Sequence, residues 1–281
     1  MIIQPSVPIV MTLAGSDPTG GAGIQADIES ILSMGGHATP VITAVTVQDT
    51  RDVVGLAPME GELIIQQART ILEDMPVAAL KVGLLGSLEA VEALHALLTD
   101  YPDLPVVLDP VLAAGGGAAL ADEEMVDGIL QLLVPRTTVL TPNTLEARAL
   151  ARGSDTLDAC AMALLDQGAE YVLITGTHER TSEVQNTLYG NHRRLDVFTV
   201  PRLEGEFHGS GCTLSAAIAT LLAQGTPVPV AVHEAVHFTW QSLQAGRRLG
   251  MGQKLPNRLF WAQPEEEGVD DESRGNTHEA R

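Results

Sequence analysis

Positive charge is what this sequence has least of. Its 281 residues hold 16 Lys and Arg against 36 Asp and Glu, a formal net charge of -20. Nucleic acids and anionic membrane surfaces both require a basic face, so neither fits as a partner. Cysteine is nearly absent, with only Cys160 and Cys212. Two cysteines make no disulfide framework and fit a reducing compartment, which points to the cytoplasm. No apolar run reaches the roughly 18–20 residues of a membrane-spanning helix. The opening MIIQPSVPIVMTLAG lacks a basic n-region and reads as a first strand rather than a signal peptide. The first glycine-rich loop is neither GxGxxG nor GxxxxGK followed by Ser or Thr, so the usual dinucleotide and P-loop readings fail there.

What is present is a large apolar content, 45% of residues, arranged in alternation. Apolar runs at Ile9–Ala14, Val41–Val45, Ala79–Val82, Val106–Leu108, Thr138–Leu140 and Tyr171–Ile174 predict strands. Between them, helical spacing covers Ile24–Met34, Glu62–Leu72, Ser87 to about Leu98, Glu123–Leu133, a segment starting at Asn143, and Thr156–Gln167. Val184–Tyr189 and Leu195–Val200 flank Gly190 and Asn191 as a hairpin. Two helices close the pattern, near Thr213–Leu222 and Val230–Leu249. Such alternation predicts an α/β fold with a mostly parallel sheet covered on both faces. Residues 1–263 show no internal repeat or linker and read as one domain. Residues 264–281 are rich in Asp and Glu, nearly devoid of large apolar side chains, and read as a disordered, solvating tail.

Ligands of such sheets sit at the carboxyl ends of the strands, and several unusual segments fall there. GSDPTGGAGIQAD, from Gly15 to Asp27, carries four glycines after the first strand. It is either a plain strand-to-helix turn or a loop that brings backbone N–H groups to a ligand. Asp27 either favours the helix dipole or faces that ligand. Gln48 in TAVTVQDTR is a solvated loop residue or an amide that reads an aminopyrimidine edge, since it both donates and accepts. Asp109 in VVLDPV is an Asx turn residue or a group that meets a metal-bound phosphate. Asn143 and Glu146 in TPNTLEA have capping-box spacing; Glu146 at a helix start also suits a magnesium-bound water. Thr175 and Gly176 end another strand, where a glycine permits either a turn or a close nucleotide. The segment HGSGCTLSAA is the most specific. Gly209, Ser210 and Gly211 open a helix whose free N–H groups and dipole make an anion site without Arg or Lys. A thiol there, Cys212, is expected to have a depressed pKa, or else it packs the helix start.

Taken together and in this order, AGSDPTGGAGIQAD, VQDTR, VLDPV, TPNTLEA and HGSGCTLSAA resemble the hydroxymethylpyrimidine/phosphomethylpyrimidine kinases of thiamine biosynthesis, members of the ribokinase-like superfamily. The resemblance runs from about Thr12 to Gly252. It implies a three-layer α/β/α domain and transfer of the ATP γ-phosphoryl, with Mg2+, to 4-amino-5-hydroxymethyl-2-methylpyrimidine and then to its monophosphate. It implies that Gln48, Gly15, Asp27 and Leu84 line the pyrimidine pocket. Gly209, Ser210 and Gly211 would form the anion hole and Cys212 would act as base. Asp109, Asn143, Glu146, Thr175 and Gly176 would serve the nucleotide, with Asp109 and Glu146 toward the metal, and a homodimer is implied. Two departures stand out. KVGLLG has Leu84 where the family often has methionine, and the loop after DPV is AAGGG, Ala113–Gly117, where a lysine is common. The phosphate charge must then be met by magnesium, backbone amides or a base from elsewhere. A pyridoxal-type vitamin kinase and a non-catalytic pyrimidine-binding relative are the rival readings. The overall charge does not oppose ATP, because surface fields fade over a Debye length of about 8–10 Å.

Overall fold

The computed structural model describes residues 7–177, 179 and 181–262. The acidic segment 264–281 lies outside the described residues. The chain runs β1 (Ile9–Ser16), α1 (Gly23–Ser33), β2 (His37–Gln48), β3 (Val53–Pro58), α2 (Gly61–Asp74), β4 (Val77–Val82), α3 (Leu88–Asp100) and β5 (Val106–Leu108). It continues through α4 (Glu123–Gly128), a π-helical turn at Ile129–Leu133, β6 (Val139–Leu140), α5 (Thr144–Leu150), α6 (Leu157–Asp166) and β7 (Tyr171–Ile174). The last elements are β8 (Glu183–Gly190), β9 (Arg193–Pro201), α7 (Ser210–Ala223) and α8 (Val228–Gln244).

The nine strands join one sheet in the order β3-β2-β1-β4-β5-β6-β7-β8-β9. The centre, β2-β1-β4-β5-β6-β7, is parallel. Both ends are antiparallel: β3 on β2, and the β8–β9 hairpin on β7. Side chains alternate across the pleat, so each strand feeds two cores. Met11, Leu13, Leu80, Val82, Leu108 and Leu140 point to one, with buried residues of α2 to α6. Val10, Val107, Val139 and Leu173 point to the other, against α7 and α8 and Ile31 of α1. The result is the expected three-layer α/β/α, ribokinase-like arrangement. Side-chain caps set several helix starts: Ser87 accepts from the N–H of Ala90, Asp122 from Met125, and Thr156 from Ala159.

The structure departs from the pattern in three places. β3 was not anticipated; Val54, Ala57 and Pro58 are exposed, so no apolar alternation marks it. It exists because β2 runs on to Gln48 and offers a free edge, against which Val53 pairs with Gln48. The last helix ends at Gln244 rather than Leu249, because the chain breaks at Gly246 and Arg247 pairs with Leu255. The helix expected over Glu123–Leu133 widens to a π-helical turn after Gly128. No described helix is long and apolar enough to cross a membrane.

Candidate active site

A cavity of about 700 Å³ opens along the carboxyl ends of the parallel strands. Gly15, Gln48, Leu84, Asp109, Asn143, Glu146 and Thr175 reach it from the sheet side, and Gly209, Ser210, Gly211 and Cys212 from the start of α7. Sequence segments nearly 200 residues apart therefore share one wall. Leu84 packs against Gly15, where an added Cβ would lie 3.1 Å from its Cδ2, and its carbonyl accepts from Thr43. Gln48, at the last position of β2, is half-buried, and no described residue takes its side-chain amide in a hydrogen bond. At the far end of the cavity the wall is apolar, from Val184, Val200, Leu203, Leu214, Val236 and Leu243.

The turn before α7 leaves backbone N–H groups free at a helix start. Gly209 has φ of +78°, and no side chain caps the helix. The N–H groups of its first turn therefore remain unspent, at the positive end of a 14-residue dipole. Glycine is required at position 209 by a neighbour: an added Cβ would lie 1.9 Å from the Gly21 carbonyl oxygen. The two glycine-rich segments thus meet backbone to backbone. Asp17 ties them together. Its carboxylate accepts from the N–H groups of Thr19 (2.8 Å) and Ala22 (2.7 Å) and faces His208 Nε2 at 3.0 Å. Burial pushes its acidity down, but the His208 contact and these N–H groups outweigh that and hold the carboxyl below the usual range. Arg258, fully buried, completes the clamp by donating to Thr213 Oγ1 (2.9 Å), to the Gly21 carbonyl and to Glu29 (3.0 Å).

Beneath Cys212 lies a buried ion pair. Lys81 Nζ is 2.8 Å from Asp27 Oδ1, both side chains at 0% exposure, and Thr12 donates to the other oxygen. Burial alone would lower the Lys81 pKa; the charges of Asp27, Cys212 and Asp109 reverse this and raise it. Burial raises Asp109 to about 6, opposed by Lys81. Burial and the nearby Asp109 charge raise Glu146 to about 8, against N–H donors from Asn143 and Leu112. Asn143 and Glu146 do form the capping box: Asn143 accepts from the N–H of Glu146 (3.0 Å), and Glu146 from the N–H of Asn143 (2.9 Å). The same two residues face the cavity, so the cap and the site are one structure.

Three expectations need correction. Asp27 does not line the cavity; its carboxylate is consumed by Lys81 and Thr12. Gly176 is not on the wall either. What its missing Cβ admits is the carbonyl of Gln185 in β8, which that atom would meet at 2.3 Å; its neighbour Thr175 does reach the cavity. The Cys212 pKa is raised, not depressed. Burial pushes the thiol up to about 12, and Asp109 and Asp27 add to this, outweighing Lys81 and the Gly23 N–H. The sequence placed Cys212 at a helix start but gave no sign that the thiol would be buried beside two carboxylates. Asp17, Lys81, His208, Arg202 and Arg258 were not singled out from the sequence. Asp17 had a local signal, an aspartate two residues before Thr19 in a glycine turn; Arg258 had none.

A matching family is found for nearly the whole described chain. The family model described as phosphomethylpyrimidine kinase matches residues 17–257. The chain belongs to this family. The hydroxymethylpyrimidine/phosphomethylpyrimidine kinase of Streptomyces coelicolor is 39% identical over 87% of this chain and 92% of its own length. That of Haemophilus influenzae is 36% identical over 92% and 98%. A Geobacter sulfurreducens thiamine biosynthesis bifunctional protein is 36% identical over 90% of this chain, which spans 53% of that longer protein. Among solved structures, a Clostridium difficile phosphomethylpyrimidine kinase superposes with a TM-score of 0.73 at 30% identity, covering 84% of this chain and 99% of its own. A Bacillus subtilis pyridoxal kinase, solved as an ADP complex, gives 0.81 at 27% identity, covering 90% and 98%.

The raised carboxyls give this member of the family a pH-dependent stability. Glu146 ionises near 4.5 in the unfolded chain and near 8 in the fold. The folded chain therefore binds more protons in that window, and stability of the unliganded protein falls as pH rises through it. Glu146→Gln removes the ionisation but keeps an acceptor for the Asn143 N–H. Thermal melting at pH 5 and pH 9 should show wild type losing more than the variant over that range. Equal losses would show that Glu146 does not carry the effect.

Proposed function

We propose that the protein uses Mg-ATP to phosphorylate 4-amino-5-hydroxymethyl-2-methylpyrimidine and then its monophosphate. One observation carries this reading. A free amide at Gln48 and an apolar slot lie at opposite ends of a single cavity, with the uncapped start of α7, Cys212 and Asp109 also on its wall. The amide suits the aminopyrimidine edge, the slot suits adenine, and the N–H groups of residues 210–212 suit the phosphoryl group in flight. Phosphoryl transfer asks for positioning and charge stabilisation more than covalent chemistry. Here both come from backbone, so bulk at Gly209 or Gly211 would remove them.

The donor set fits magnesium. Asp109 and Glu146 form a buried acidic pair whose mutual repulsion already raises Glu146. No cluster of three or more ligating side chains occurs among the described residues, which suits an ion held by one or two carboxylates, water and phosphate oxygens. Asp109 and Glu146 would hold the ion, directly or through water, and it would supply positive charge against that of the phosphates. The chain's own residues do the rest. Gln48 and Leu84 hold the ring, and Cys212, once it has released its own proton, accepts the hydroxyl proton as the thiolate. Neutralising Asp109 removes one of the two carboxylate charges that keep the thiol protonated. The same reading takes residues 1–263 as one kinase domain and includes a homodimer and a cytoplasmic location, supported by the family resemblance and by two free cysteines.

ADP release by purified protein tests this. Acceptors are the hydroxymethylpyrimidine, its monophosphate, pyridoxal and none. Turnover with both pyrimidines, well above pyridoxal, is expected. Pyridoxal turnover alone would reassign Gln48 and Leu84, and binding without turnover would mark a non-catalytic relative.

A further inference from the structure

The second phosphorylation poses a problem the first does not: its acceptor is itself an anion. The cavity it enters is acidic, with Asp17, Asp49, Asp52, Asp109, Glu146 and Glu179 on its wall. Like charges brought together in a partly desolvated cavity repel more strongly than in water. The loop after DPV, where a lysine would offset this, is Ala113–Gly117 and has no cation.

Among the described residues, three cationic or titratable basic side chains line the cavity: Arg51, Arg202 and His208. Arg202 is spent. It donates to the carbonyls of Thr177 (2.9 Å), Glu179 (2.6 Å) and Thr181 (2.6 Å), at the end away from Gln48. His208 is held by Asp17. Lys81 is sealed behind the wall with Asp27. Arg51 uses only its backbone N–H, which donates to Asp49 Oδ1 at 2.7 Å; no hydrogen bond or ion pair joins its guanidinium to a described residue.

The lysine-free loop explains how Arg51 is held. An added Cβ on Gly116 would lie 2.7 Å from the Arg51 carbonyl oxygen and 2.4 Å from Asp52 Cγ. On the other side, the N–H groups of Gly252 and Gln253 donate to Thr50 Oγ1 (2.9 Å) and Thr50 O (2.8 Å). A Cβ on Gly252 would lie 2.1 Å from that Thr50 carbonyl. The turn at residues 50–52 is thus clamped between two glycine segments that leave no room for side chains. The loop gives up its own cation and seats a neighbouring turn that carries one. Arg51 stands three residues after Gln48 and lines the same cavity, so its guanidinium belongs to the acceptor end.

We propose that Arg51 holds the phosphate of the monophosphorylated acceptor and so fits this site to the second phosphorylation. This rests on the function proposed above. A guanidinium meets a phosphate with two parallel charge-assisted hydrogen bonds, and the hydroxymethyl acceptor has no anionic group to receive such a pair.

The test compares the two acceptors, with saturating Mg-ATP, in wild type, Arg51→Ala and Arg51→Lys. In Arg51→Ala the ratio of kcat/KM for the monophosphate to that for the hydroxymethyl acceptor should fall about ten- to a hundred-fold, the scale of a lost hydrogen bond to a charged group. The fall should lie mainly in the KM of the monophosphate, and Arg51→Lys should recover part of it. A ratio within twofold of wild type overturns the assignment, as does a fall that lysine does not lessen. Wild-type protein that phosphorylates neither acceptor overturns the function itself, and with it the role of Arg51.

Discussion

Cys212→Ala should lower kcat by about a hundred-fold or more, the usual scale for losing a positioned base, and leave the KM for the pyrimidine nearly unchanged. The side chain is half-buried on the cavity wall, and the Gly23 N–H points at its sulfur. It therefore contributes little to binding area and much to where the hydroxyl proton goes. The raised pKa sets a condition on this role: a thiol held near 12 is protonated in the unliganded protein, and only the thiolate, formed once neighbouring carboxylate charge is offset, can take the hydroxyl proton. Steady-state kinetics with the hydroxymethyl acceptor measure this directly. A variant with near-normal kcat would take the base role away from Cys212. A variant with normal kcat and raised KM would make it a packing residue of the pocket.

Lys81→Met should destabilise the fold by about 3–5 kcal/mol, the cost of leaving a buried charge without its partner. Lys81 and Asp27 are both completely enclosed, and Thr12 offers Asp27 only a neutral hydrogen bond. Removing the ammonium leaves a carboxylate that must either stay charged in the interior or take up a proton. Adding Asp27→Leu should return a large part of the loss, because replacing a buried pair by apolar side chains is often neutral or better. Denaturant melts of the single and double variants settle the matter. A single variant within 1 kcal/mol of wild type would mean that water reaches Asp27 after all.

This pair also shows where sequence reading stops. The strands that carry the site were legible because each is a run of buried apolar residues ending in a polar or small one, as in Ile9–Ser16 or Val106–Leu108. The helix starts were legible from Ser87, Asn143 and Thr156, whose side chains cap them. Strand β3 was not, because an exposed edge strand carries no alternation. Within the site, residues that face the cavity from glycine-rich or strand-end segments were found: Gly15, Gln48, Asp109, Glu146, Gly211 and Cys212 all lie on its wall. Residues that act from behind were missed. Lys81 sits in an apolar strand, where a lysine gives no hint of its partner 54 positions away. Asp27 was placed at the ligand because its loop suggested one, and only three-dimensional packing shows that Lys81 claims it. The Cys212 pKa failed for the same reason: the helix start is local in sequence, but the burial that chiefly raises the thiol, and the Asp109 and Asp27 charges that add to it, are set by packing.

The clamp on the anion turn has a consequence for how the protein is made. Asp17 meets His208 across 191 positions, and Arg258 meets the carbonyl of Gly20 across 238. A ribosome delivers the first glycine segment long before its counterpart, and the arginine that fastens both is among the last described residues to emerge. The central strands can pair as they appear, since β1, β2 and β4 lie early in the chain. The turn before α7 cannot be fastened to the first glycine segment until synthesis is nearly complete, so whatever depends on that clamp is acquired in a single late step.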